Sequence, residues 1–302
     1  MNKRIMVPLD GSAFSECALP WALAVADAWN ADLELVNVRE IAPEPDLGFW
    51  NDEAAAEWSE TYLARAADRI EASDGRARPD TTVLTGAPSD ALRDHAEESG
   101  ADLVVMSTHG RGPLSRFWIG SVADSYVRGG PTPVLLVRPS EDDADEVDRT
   151  RPATIQRVLV ALDGSEASEA VLPLVREVAD AVGGRYDALR VFPYPGGFPS
   201  PYLSHTVAEN ADALEKGRES ARTYAVRQAE HLKAAGAHAE AHVVVDRSPA
   251  AGILHQSEAS GADMIVMATH GHGGVRRALV GSVADKVVRG STLPVLVVRP
   301  EG

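Results

Sequence analysis

The chain has 302 residues, 44% of them hydrophobic and 25% charged, and a formal net charge of −16. That length suits two domains of about 150 residues each, and the acidity excludes a broadly basic, nucleic-acid-binding surface. No apolar run approaches the roughly 18 residues that span a bilayer. The single cysteine, Cys17, excludes an intrachain disulfide and fits a reducing, cytoplasmic setting.

Residues Met1 to Pro8 run straight into an apolar strand pattern and show no apolar h-region with a cleavage site, so no secretory signal is expected. Residues Arg4–Leu9 predict a strand, and Asp10-Gly11-Ser12 follows. A helix is predicted from Ser12 or Ser15 to about Asn30, with Ala18, Leu19, Ala22, Leu23 and Ala26 at helical spacing. Leu33–Val38 reads as a strand, Asp52–Ser73 as a helix, Thr81–Leu84 as a short strand, and Ser89–Ser99 as a helix stopped by Gly100. Then come a buried strand at Asp102–Met106, a glycine loop, a helix at Ser121–Arg128 and a last strand at Val134–Val137. The second half of the chain repeats this order.

The repeat is clearest around the glycine loop. Ser107-Thr108-His109-Gly110, nine residues, then Gly120-Ser121-Val122-Ala123-Asp124 is matched by Ala268-Thr269-His270-Gly271, nine residues, then Gly281-Ser282-Val283-Ala284-Asp285. From residues 101 and 262 onward, roughly 23 of about 39 positions are identical. The strand starts match too, with Asp163-Gly164-Ser165 standing where Asp10-Gly11-Ser12 stands. The offset between copies grows along the chain, which puts the extra residues of the second copy near Phe192–Thr206. An acidic run after Pro139 separates the copies. The predicted organisation is a domain over 1–140, an acidic linker over 141–153 and a second domain over 154–302. Alternating strands and helices predict an α/β fold, with two five-stranded parallel sheets each covered on both faces.

Such sheets bind ligands beyond the carboxyl ends of their strands, where strand order reverses. If strands one and four are neighbours there, Asp10 and the loop from Gly110 to Gly120 face one crevice, as do Asp163 and the loop from Gly271 to Gly281. The carboxylates can accept hydrogen bonds from ribose hydroxyls or cap the following helix. Gly110, Gly120, Gly271 and Gly281 are expected to turn the backbone at positive φ and let it approach a phosphate. Ser121 and Ser282 are expected at or near a helix N-cap, where the hydroxyl and the helix end favour an anion. His109 and His270 can orient the loops; no metal-ligand set accompanies them. The loop arginines Arg111, Arg116, Arg276 and Arg277 reach phosphates or stay solvated. The aromatics Phe49, Trp50, Trp58, Phe192, Tyr194, Phe198 and Tyr202 form a lid, an inter-domain contact or ordinary packing. There is no Walker lysine, dinucleotide glycine fingerprint or nucleophile elbow.

These residues resemble the universal stress protein family in its tandem two-domain form, and in particular its ATP-binding members. The family motif is Gly, two residues, Gly, nine residues, then Gly-Ser or Gly-Thr. It matches at Gly110, Gly120 and Ser121, and at Gly271, Gly281 and Ser282; its first glycine is Ser107 in one copy and Ala268 in the other. The resemblance implies that Asp10 and Asp163 contact the ribose or adenine. Pro8 and Ala161, Val38 and Val191, and Met106 and Met267 would line the adenine pocket. Ser121-Val122 and Ser282-Val283 would meet the phosphates. It also implies an internal pseudo-dimer in which Val134–Val137 pairs with Val295–Val298, with further homodimerisation left open.

The expected function is that of a stress-response regulator binding ATP, with or without magnesium, or ADP or AMP. It would have two similar sites, little or very slow hydrolysis and a regulatory protein partner. A slow ATPase or phosphotransferase and a nucleotide-independent interaction module are the alternatives.

Overall fold

A computed structural model describes residues 2–40, 52–74, 76–109, 119–140, 149–182, 184–193, 204–269 and 281–300. The chain divides into two compact units, Met1–Thr154 and Ile155–Gly302. Unit 1 runs β1 (Arg4–Pro8), α1 (Ala13–Glu16), α2 (Leu19–Trp29), β2 (Asp32–Arg39), α3 (Asp52–Asp74), β3 (Asp80–Thr85), α4 (Pro88–Ser99), β4 (Leu103–Ser107), α5 (Ser121–Gly129) and β5 (Val134–Val137). Unit 2 runs β6 (Arg157–Leu162), α6 (Glu166–Glu169), α7 (Leu172–Val182), β7 (Arg185–Pro193), α8 (Ser204–Ala234), β8 (His238–Asp246), α9 (Pro249–Ser260), β9 (Met264–Ala268), α10 (Ser282–Gly290) and β10 (Val295–Val298).

Within unit 1 the strands lie in the order β3-β2-β1-β4-β5, all parallel. Unit 2 has the corresponding order β8-β7-β6-β9-β10, again all parallel. Right-handed crossovers place α2 and α3 on one face of the first sheet and α4 and α5 on the other. The central strands are therefore buried on both sides. Ile5, Met6, Val7, Val104 and Val105 are wholly inaccessible, and so are Leu159, Val160 and Ile265. This is why these strands read as continuous apolar runs without alternation.

The helix predicted from Ser12 to Asn30 is broken in two. The Ser12 hydroxyl caps α1 by accepting from Ser15 N, and a new helix begins at Leu19 with Pro20 in its first turn. Proline lacks an N–H and is tolerated only where no intrahelical bond is needed, so the break precedes it. Pro173 occupies the same place at the start of α7. Helices α4 and α9 stop at Gly100 and Gly261, both left-handed. The extra length of the second copy shows as a longer helix, 31 residues in α8 against 23 in α3. The end of the stretch joining the copies lies against unit 1: Arg149 is buried and bonds the Ala13 carbonyl, and Ala153 N donates to Pro20 O at 2.8 Å.

One charged group lies deep under α4. Glu34, on β2, is 3% exposed and accepts from Thr82 Oγ1 at 2.7 Å. It also meets His95 Nε2 at 2.8 Å and Arg4 Nη1 at 3.4 Å. Burial pushes its pKa up. The Thr82 and His95 hydrogen bonds and the His95 and Arg4 charges outweigh that and hold it below the ordinary 4.5. A depressed carboxyl pKa stabilises the fold above the unfolded value, and the contribution is lost as pH falls through the folded value. Glu34→Gln is expected to lower stability at pH 7 by about 2 kcal/mol, the worth of hydrogen bonds to a charged group. The gap to the wild-type protein should narrow below pH 4.5; urea melts across the acid range check both.

Candidate nucleotide-binding crevices

The strand order reverses between β1 and β4 in unit 1, and between β6 and β9 in unit 2. At the carboxyl end of β1 the chain passes through Asp10, Gly11 at φ 84° and Ser12. Asp10 Oδ1 accepts from Ser12 N at 2.9 Å and Ser12 Oγ at 2.6 Å, while Asp10 N donates to Ser15 Oγ at 3.2 Å. The second crevice repeats this turn. Asp163 Oδ1 accepts from Ser165 N at 2.9 Å and from Ser165 Oγ at 2.5 Å, and Asp163 N donates to Ser168 Oγ at 3.2 Å. The helix caps are thus Ser12 and Ser165, and the aspartates brace the turn ahead of them. Both aspartates are partly exposed at the carboxyl end of the first strand of their unit.

On the neighbouring strand the glycine loop begins. Thr108 N donates to Val137 O at 2.8 Å, and Gly120 N donates back to Thr108 O at 2.6 Å. The same pair recurs as Thr269 N to Val298 O at 2.9 Å and Gly281 N to Thr269 O at 2.7 Å. These bonds close each loop at its neck. They bring the N-terminus of α5, or of α10, beside the end of the preceding strand. Ser107 Oγ donates to His109 O at 2.6 Å, and the buried His109 ring meets Thr108 Oγ1 at 3.0 Å. His109 is thus held at the point where the chain leaves β4. Gly110, His270, Gly271 and the four loop arginines lie outside the described residues.

The structure corrects the predicted role of the later glycines. Gly120 has φ −56° and Gly281 φ −58°, so neither uses the left-handed region. Gly120 answers to space, because a Cβ there would lie 3.0 Å from Thr108 O, tighter than most real contacts. These glycines, not the serines, are the N-caps. Ser121 and Ser282 are the first helical residues, exposed, with first-turn N–H groups that have no partner within the helix. The first motif position is also free of special backbone demands. Ser107 ends β4 and Ala268 ends β9, and among the described residues Asn30 is the only non-glycine with positive φ. A side chain at that position carries no conformational penalty.

The expected adenine-side residues cluster at this end of each sheet. Pro8 ends β1, Met106 lies one residue before the end of β4, and Val38 lies near the end of β2. Ala161, Met267 and Val191 hold the matching places in unit 2, all three buried. Val122 and Val283 are half-buried in the first turns of α5 and α10. Of the aromatics, Trp58 is exposed on α3 and stacks on Tyr62 at 5.5 Å. Phe192 packs on Gly217 of α8, where any Cβ would strike the ring. Phe49, Trp50, Tyr194, Phe198 and Tyr202 lie outside the described residues.

One residue of the second crevice escaped the sequence reading. Strand register makes Asn37 and Arg190 equivalent. Asn37 is buried and donates to Leu9 O at 2.7 Å. Arg190 instead sets its guanidinium under Gly164, where its charge interacts with that of Asp163. Burial lowers the Arg190 pKa, and the Asp163 carboxylate opposes that shift.

With this geometry in place the comparisons are decisive. The model of the universal stress protein family matches residues 1–138 and again 154–299. The chain belongs to the universal stress protein family. A tandem relative from Mycobacterium tuberculosis is 26% identical over 303 residues, covering 98% of this chain and 96% of its own length. A universal stress protein of Thermus aquaticus is 34% identical over 145 residues, 46% of this chain and all of that one. A crystal structure of a universal stress protein from Archaeoglobus fulgidus covers 99% of both chains with a TM-score of 0.70 at 20% identity, a likeness of fold. Among the described residues no helix is long and apolar enough to cross a membrane.

The neck of the loop can be tested directly. Alanine in place of glycine at a compatible φ ordinarily gains about 0.4–1 kcal/mol. Gly120→Ala is expected instead to cost about 1–2 kcal/mol, because the new methyl crowds Thr108 O; thermal or urea unfolding gives the sign.

Proposed function

We propose that this universal stress protein is a cytoplasmic regulator that binds an adenine nucleotide, ATP before ADP or AMP, in both of its crevices. The observation that carries the reading is the repetition, bond for bond, of one arrangement at the two strand-order reversals. In each unit a carboxylate ends the first strand, and a necked loop delivers a helix N-terminus with an exposed serine. Free first-turn N–H groups, the serine hydroxyl and the helix dipole suit a phosphate chain, which magnesium can accompany. Asp10 and Asp163 suit ribose hydroxyls, and the apolar strand ends suit the base.

Binding rather than turnover fits the chemistry. The described groups gathered in each crevice accept and donate hydrogen bonds, and His109 is buried with its ring against Thr108. Hydrolysis would be absent or very slow. The bound nucleotide would then act by mass action, favouring the conformation or partner complex that holds it.

The expected outcome in thermal melts with millimolar Mg-ATP is a rise in melting temperature. Asp10→Ala and Asp163→Ala should each reduce it in part, and the double variant should nearly abolish it. Removing a hydrogen bond to a charged group is expected to weaken each site about tenfold or more. An ATP-dependent shift unchanged in the double variant would count against these crevices as the sites.

A further inference from the structure

A second polar cluster lies in unit 2, on the sheet face covered by α9. Asp187, on β7, is 1% exposed, and among the described residues neither of its carboxylate oxygens accepts a hydrogen bond. On the adjacent strand, His242 brings Nε2 to 3.2 Å from Asp187 Oδ1, without the alignment of a hydrogen bond. Glu240 places Oε2 3.9 Å from the same nitrogen. One ligand atom from each of the three residues lies within 4.8 Å of the others. The strand register explains the meeting: Asp187 pairs with Glu240 and Leu189 with His242, so alternation puts all three side chains on one face.

Unit 1 provides an internal control. Asp187 corresponds by register to Glu34, and His242 to Thr82. Glu34 is served by Thr82, His95 and Arg4. In unit 2 the side chain is one methylene shorter, and Arg157, at the place of Arg4, turns to the Ser260 carbonyl. Gln256 stands where helix α4 has His95. Both units set a second carboxylate beside the buried one, Asp80 in unit 1 and Glu240 in unit 2. Asp187, however, has lost the hydroxyl and guanidinium donors that serve Glu34 and keeps only an unaligned imidazole. Such a carboxylate is costly to bury unless a cation compensates it.

We propose that Asp187, Glu240 and His242 bind a divalent first-row transition-metal ion, for which Zn²⁺ is the probe. Bonds of 2.0–2.2 Å in a tetrahedral site set donor atoms about 3.4 Å apart, and the 3.2 and 3.9 Å separations bracket that value. An imidazole with two carboxylates suits such ions better than calcium or magnesium, which prefer all-oxygen sets. Glu240 can serve the ion while bonded to Arg185, because Arg185 takes Oε1 and Oε2 faces His242. The Gln256 amide lies 3.5 Å from His242 Nδ1. With its oxygen turned to that nitrogen it would hold the Nδ1 proton and leave the Nε2 lone pair for the metal. Glu240 is exposed and the His242 side chain is 29% exposed, so the ion can reach the cluster from solvent.

The test is calorimetric titration of the full, chelator-treated chain with Zn²⁺ in the absence of nucleotide, paired with melting curves. The expected result is one saturable site and a Zn²⁺-dependent rise in melting temperature. Both should weaken at least tenfold in His242→Asn and Asp187→Asn. Glu240→Gln, at an exposed position where folding is not at stake, should weaken binding several-fold. Absence of saturable binding in the wild-type chain, or wild-type affinity in His242→Asn and Glu240→Gln, would overturn the proposal.

Discussion

The backbone hydrogen bond from Gly120 N to Thr108 O, and its copy from Gly281 N to Thr269 O, is the contact on which the crevices depend. Each bond closes a loop whose ends would otherwise be free to separate. It fixes where α5 or α10 begins relative to the strand that precedes the loop. The parallel sheet then decides what faces that helix end. Because β4 lies beside β1, and β9 beside β6, the neck stands next to the strand that ends in the aspartate turn. A short bond and a strand order together assemble groups that are about a hundred residues apart in the chain. A side chain at Gly120 would be crowded by that bond, although the φ there is one that any residue can adopt.

The two units keep this arrangement while differing in the charges around it. Asn37 secures the end of β1 in unit 1, and Arg190 stands at that position in unit 2, where its charge interacts with that of Asp163. On the opposite face Glu34 is fully served by donors, and Asp187 is not. Both differences fall on equivalent register positions of β2 and β7. The backbone frame has therefore tolerated substitutions that alter the electrostatics of one unit without altering its strand order. Two crevices of one geometry set in different fields are expected to bind the same ligand class with different strengths.

Much of this was legible in the sequence. Element order followed from continuous apolar strands and helix-stop glycines; Val134–Val137 was placed to the residue. The repeat gave the fold class, and the neighbouring of strands one and four, which sets the Asp10 turn beside the strand that leads into the glycine loop, was the arrangement that sheet topology led one to expect. The φ of Gly120 was not legible, since glycine serves close approach and positive φ alike. The break between α1 and α2 was signalled by Pro20 but masked by good helical periodicity across it. Arg190 and the cluster of Asp187, Glu240 and His242 were not read, because no local spacing marks them. Asp187 and His242 lie 55 residues apart and meet only through the pairing of β7 with β8.

The central claim is that both crevices, not one, hold nucleotide. The stoichiometry of ATP binding to the intact chain, measured by calorimetry with magnesium present, tests it most directly. Two nucleotides bound per chain is the predicted result, resolved as two affinities if Arg190 sets the second crevice apart. Saturation at one nucleotide per chain, or no binding at millimolar ATP, would contradict it.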